Sequence, residues 1–97
     1  MKRITVHRLL DSEHAYARAK HGENSMLDME LSDHEFLAIL VEEVGDVADA
    51  LNERMLKNAD ATDEHLAHEI VQVMAVAGAW LLRLPDPSGE ESPDARG

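Results

Sequence analysis

Between Ile70 and Leu82 the only polar side chain is Gln72. A helix built from such a run has no hydrophilic face and must be surrounded by protein. The chain has 97 residues, enough for one small domain but few with which to wrap a helix on every side. The run therefore predicts a subunit interface as well as a core helix. It also falls short of the ~20 apolar residues that cross a bilayer, even when extended to Leu84. The basic start, Met1-Lys2-Arg3-Ile4-Thr5, is followed by neither an apolar block nor a small-residue cleavage site. It does not read as a secretory signal, so the expected compartment is the cytoplasm and no membrane partner is expected.

Composition narrows the chemistry. Phe36, Tyr16 and Trp80 are the only aromatic residues, so the core is expected to be aliphatic. The absence of cysteine excludes a disulfide framework, thiolate catalysis and Cys-ligated zinc or iron–sulfur sites. Twenty acidic residues against nine basic ones give a net charge of −11. A DNA-binding role needs a basic face to neutralise phosphates, and none is present. A cation is the more natural partner.

The periodicity is helical throughout. Val6, Leu9, Leu10, Glu13, Tyr16 and Ala17 share one face of a first helix over Thr5 to Lys20, and Gly22 suits its C-terminal end. Glu23 to Leu31 reads as a loop. Ser32-Asp33-His34-Glu35 forms a capping box for a second helix, whose stripe Phe36, Leu40, Val44, Val47, Leu51 and Met55 carries it to about Lys57. Asn58 to Ala61 is predicted as a turn. Thr62 or Asp63 then caps a third helix that ends before Pro85. The expected fold is all-α: an antiparallel bundle of three main helices, completed into a four-helix-type bundle by dimerisation. Residues 1–84 make up the helical domain and 85–97 an acidic tail predicted to be disordered.

The candidate chemistry lies in Glu42-Glu43-Val44-Gly45-Asp46-Val47-Ala48-Asp49. At 100° per residue Glu42, Asp46, Asp49 and Glu53 fall within about 60° of one another, with Glu43 offset toward the apolar stripe. Like charges one turn apart repel, so the cluster is accounted for either by solvation or by a bound divalent cation. Glu69 and Gln72 are one turn apart at the entrance to the apolar run. They are either a polar cap on that helix or part of an oxygen-rich cage with Glu42, Glu43 and Asp46, reached by antiparallel packing. Such a cage suits Mg²⁺ or Mn²⁺.

This paired arrangement resembles the MazG-like branch of the all-α nucleoside triphosphate pyrophosphohydrolases, whose signature is Glu-Glu-x-x-Glu on one helix and Glu-x-x-Asp on the next. Glu42-Glu43-Val44-Gly45-Asp46 matches the first half with Asp for the last Glu, and Glu69-Ile70-Val71-Gln72 matches the second with Gln for Asp. The resemblance spans about residues 5–84. It implies a Mg²⁺ site of Glu42, Glu43, Asp46 and Glu69, with Glu43 on the side of the attacking water. The implied activity is hydrolysis of a nucleoside triphosphate between the α and β phosphates to a monophosphate and pyrophosphate, by a homodimer or tetramer. Gln72 removes one negative charge from the site, and Asp49 is placed to replace part of it. A catalytically weakened member, acting as a nucleotide- or protein-binding module, is the alternative, and a purely structural oligomer with a solvated acidic face is a third.

Triphosphate binding also calls for basic groups. Lys20, His21 and Asn24 are the candidates that the resemblance places near a nucleotide pocket. Arg54 and Lys57, like Arg18 and Arg83, equally suit the C-terminal turns of their helices through the dipole. His7, His14 and His21 recur every seven residues but lie too far apart, about 10 Å per step, to share one ion. His68-Glu69 lacks the second histidine of a zinc-protease motif. Trp80 and the methionines are expected in the core or an interface rather than against a ligand.

Overall fold

The computed structural model describes residues 1–56 and 59–87. They form α1 (Arg3–His21), a 3₁₀ turn (Gly22–Asn24), α2 (Asp33–Leu56) and α3 (Ala59–Leu81). There is no strand among the described residues, so the chain is all-helical there. None of these helices is long and apolar enough to cross a membrane. Lys57, Asn58 and the tail from Ser88 onward lie outside the described residues.

Local signals set the helix ends. Gly22 adopts φ +57°, a left-handed conformation open to glycine, and its N–H donates to the Arg18 carbonyl to close α1. The capping box at α2 is formed in both directions: the Ser32 N–H donates to the Glu35 carboxylate and the Glu35 N–H to the Ser32 hydroxyl, each at 3.1 Å. Hydrogen bonding from the Ser32 backbone N–H and from its hydroxyl holds the Glu35 carboxyl below its ordinary range. The third helix departs from expectation. It starts at Ala59, so Thr62 and Asp63 lie inside it and the predicted Asn58–Ala61 turn is cut short. Ala59 and Ala61 are strong helix formers, which lets the helix propagate backward. Its far end is at Leu81, and the chain then turns before Pro85, where the residue preceding a proline avoids helical dihedrals.

α3 is the central element. α2 packs along it and α1 crosses its other side, while α1 and α2 make no direct backbone approach. Gly78 makes the α1 crossing close, since a Cβ there would meet the His14 ring at 3.4 Å and Leu10 at 3.5 Å. Beside it the His14 Nε2–H donates to the Ala75 carbonyl at 2.8 Å, so this histidine has a structural partner that its seven-residue spacing did not reveal. The core itself is small: Ala17, Phe36, Ala50, Ala75, Val76 and Ala79 are buried. Within one chain α3 is not buried on all sides as expected, because only two helices flank it and Ile70 and Leu81 stay 49% and 69% exposed.

The α2–α3 register is pinned at one end of the pair. The Phe36 and Trp80 rings stack with centroids 6.0 Å apart, and the Trp80 Nε1–H donates to Asp33 at 2.9 Å. Arg83 lies over the Phe36 ring at 5.7 Å and donates to the carbonyls of Met26 and Met29, clamping the α1–α2 loop. In that loop the buried Ser25 hydroxyl donates to Asp28 at 2.8 Å, which with the Arg18 charge holds the Asp28 carboxyl below its usual range. At the opposite end Arg54 pairs with Asp63 at 3.0 Å.

Phe36→Ala removes the largest buried side chain and half of the stack. It is expected to cost roughly 3–5 kcal/mol, a large part of the ~5–15 kcal/mol that holds a small domain together. Urea unfolding followed through the emission of Trp80, the only tryptophan, reads this directly.

Candidate functional site

Moving inward from the Phe36–Trp80 stack, the antiparallel register brings the middle of α2 against the first half of α3. There the carboxylates of Glu43, Asp46 and Glu69 converge, with one oxygen from each within 4.8 Å of the others. Glu43 and Asp46 are one turn apart on α2. Glu43 and Glu69 are half-buried and Asp46 is exposed. Oxygens on opposite sides of a Mg²⁺ octahedron lie about 4.2 Å apart, so the three carboxylates are spaced on the scale of one coordination shell. The donor set is entirely carboxylate oxygen, a ligand type that hard divalent cations prefer.

The electrostatics are unfavourable without a counter-charge. Burial, followed by the charges of Asp46, Glu69, Glu42 and Glu13, pushes the Glu43 carboxyl above its ordinary value. Among the described residues the one basic group within 4 Å of the cluster is His65, with Nδ1 3.9 Å from Glu69, and its Nε2 lies 3.9 Å from Glu53. These are long contacts and carry charge only when the ring is protonated.

Of the four carboxylates expected to meet, three do. Glu42 lies on the exposed side of α2, as does Asp49, and neither joins the group. The reason is the side on which α3 docks: it covers the face of Glu43, so Glu69 arrives there and not at Glu42. Gln72, one turn beyond Glu69, faces an adjoining cavity instead.

That cavity has a volume of about 690 Å³ and lies between α1, the following loop, α2 and α3. It is within the size range of small-molecule pockets, ~300–1,000 Å³. Lys20, His21 and Asn24, which the resemblance placed near a nucleotide pocket, all line it, together with Gln72. Its apolar side consists of Ala17, Met26, Met29, Leu31 and Ile39. Tyr16 forms a wall, with the Lys20 ammonium over its ring at 5.7 Å. Glu13 and His68 also line the cavity and were not anticipated. Glu13 had left a signal, since it is the only acid on the apolar stripe of α1. It links cavity and cluster, lining the one while its charge raises the proton affinity of Glu43 in the other. Arg54 is engaged with Asp63 and does not line the cavity. Lys57 lies outside the described residues.

Comparison with models of known protein families, with curated proteins and with solved structures gives no match to this chain.

The raised Glu43 carboxyl has a consequence for stability. The fold holds this proton more tightly than the unfolded chain does, so the contribution is present below the ordinary glutamate value and is lost as pH rises through the raised one. In a chelator, wild type is expected to lose stability relative to Glu43→Gln between pH 4 and pH 7, measured by denaturant unfolding of both proteins. A difference that stays flat with pH contradicts the assignment.

Proposed function

We propose that the chain is a cytoplasmic, metal-dependent nucleoside triphosphate pyrophosphohydrolase acting as a homodimer or tetramer. It cleaves between the α and β phosphates to give a monophosphate and pyrophosphate. The observation that carries this reading is the convergence of Glu43, Asp46 and Glu69 beside a cavity lined by Lys20, His21 and Asn24. The family resemblance of the two helical motifs supports it.

In this reading Glu43, Asp46 and Glu69 would hold Mg²⁺ or Mn²⁺. The bound cation supplies charge neutralisation for the phosphates. Glu43 orients the attacking water and accepts its proton, a task suited to a carboxylate whose proton affinity burial has already raised. Lys20 and His21 meet the phosphate or sugar portion, and Asn24 and Gln72 offer hydrogen bonds at the cavity rim. The apolar side with Tyr16 accommodates the base. Water bonds to phosphorus as the bond from the α-phosphorus to its bridging oxygen breaks, and pyrophosphate leaves on that oxygen.

A second reading has specific support. The three-carboxylate group carries two charges fewer than the five acids of the paired motif, because Gln72 is neutral and Glu42 stands apart. That favours a catalytically weakened protein that binds nucleotide without turning it over.

Pyrophosphate release across common and modified nucleoside triphosphates, with Mg²⁺ and with Mn²⁺, decides between them. At least one nucleotide is expected to be hydrolysed, with Glu43→Gln and Glu69→Gln lowering the rate by roughly 10²–10⁴-fold. Gln72→Glu, which restores one of these charges, is expected to tighten metal binding in calorimetric titration. Turnover of nothing at high enzyme concentration, with saturable nucleotide binding retained, establishes the second reading.

A further inference from the structure

The most extensive unpartnered surface lies on the side of α2 turned away from the core. Leu37, Val41, Val44, Leu51 and Met55 are 47, 61, 51, 46 and 85% exposed, and Ala48 is exposed among them. Their spacing alternates between four and three residues, which places all six within an arc of about 80° along ~27 Å of helix. This is the seam pattern of helices that pack side by side. The positions immediately beside it carry no acid: Ala38, Gly45 and Asn52 on one side, Leu40, Val47 and Arg54 on the other. A Cβ built on Gly45 meets nothing, so another backbone can come close at mid-helix.

We propose that this face is the docking surface for a second copy of the same chain, with the two α2 helices antiparallel and their two-fold axis at the level of Asp46. The spacing of the stripe, four, three, four, three and four residues, is the same in both directions about that level. Leu37 meets Met55 of the partner subunit, Val41 meets Leu51 of the partner subunit, and Val44 meets Ala48 of the partner subunit. A two-fold interface requires self-complementarity, and this spacing lets the stripe interdigitate with itself.

Charge and area agree with the assignment. Asp33, Glu35 and Arg54 at the ends of α2 are already engaged within the chain, with Trp80, Ser32 and Asp63. Antiparallel pairing opposes the dipoles of the two helices, whereas parallel pairing aligns them. Glu42, Asp46, Asp49 and Glu53 lie on the opposite side of the helix, so these four acids are kept out of the contact. The five large side chains expose on the order of 500 Å² per protomer, as much as the largest patch a typical monomer leaves uncovered. That is more than half of the ~800 Å² each partner gives to a standard interface. The inference does not rest on the nucleotide chemistry, and it specifies the face that the oligomer uses.

Light scattering coupled to size exclusion tests it on the full chain. Wild type is expected at twice the chain mass, and Val41→Glu/Val44→Glu at the single-chain mass with its helical circular dichroism kept, because both positions are solvent-exposed in one chain. The chain has no cysteine, so engineered thiols report orientation. Oxidising a mixture of Val41→Cys and Leu51→Cys proteins is expected to cross-link one to the other, with each protein alone giving little product. A monomeric wild type overturns both the oligomer and this face, and a dimer that survives the double glutamate variant overturns the face alone. Self-cross-linking of each single-cysteine protein overturns the antiparallel register. Pyrophosphate release by wild type separates any of these failures from a failure of the enzymatic reading.

Discussion

The stack of Phe36 on Trp80 fixes the position of almost everything else. It is the only place in the described core where two large rings meet, and it is held from both sides by Asp33 and Arg83. Because helices advance about 1.5 Å per residue, fixing one point of an antiparallel pair fixes which residues face each other along its length. Ten residues inward along α2 from Phe36 stands Asp46, and eleven residues back along α3 from Trp80 stands Glu69. The carboxylates meet because an aromatic pair some 15 Å away sets the register. Arg54 and Asp63 close the far end in the same register, and Arg83 extends the arrangement to the loop that walls the cavity.

Against that frame the acidic group is a local conflict. Glu43 and Glu69 are partly removed from water beside each other and beside Asp46, and the fold answers mainly by raising the proton affinity of Glu43. A chain selected only for stability has simple remedies, such as a lysine at one of these positions. Violations of local electrostatic consistency tend to sit where a protein binds or reacts, and this one borders the cavity. Glu13 extends the conflict across the pocket from a third element.

Much of this was legible from residue order. Ser32 and Glu35 announced the start of α2, Gly22 the end of α1, and Glu69 the acid that would meet the α2 cluster. Lys20, His21 and Asn24 were placed together by a resemblance and do line one cavity. What periodicity could not supply was the side on which α3 docks. Glu42 and Glu43 differ by 100° around the helix, and only tertiary packing chooses between them. His14 escaped for a related reason, since its partner is a backbone carbonyl 61 residues away. The early start of α3 reflects helix propagation through alanines, where capping residues alone suggested a boundary. The apolar run from Ile70 predicted a helix wrapped on every side, whereas one chain leaves Ile70 and Leu81 exposed and more apolar surface open on α2 than on α3.

α2 therefore carries three different surfaces. Phe36, Ile39, Leu40, Val47 and Ala50 turn toward α3 and the core, the stripe from Leu37 to Met55 faces away from it, and Glu42, Asp46, Asp49 and Glu53 occupy the remaining side. Glu43 stands within the core-facing surface, where the partly buried carboxylate can be approached from α3. The separation has a functional corollary. Two copies joined along the stripe leave both acidic groups on the outside of the pair, each open to its own cavity, because the cavity is built from α1, the loop and α3 rather than from the outer face of α2. The same angular separation keeps two highly acidic chains from opposing their carboxylates at the contact. A substitution moving one acid by a single residue, from Asp46 to position 45 or from Glu42 to position 41, places charge in or beside the seam and removes it from its own face. The spacing of these acids is thus constrained from two directions, by the metal-sized group they form with α3 and by the apolar stripe they must avoid.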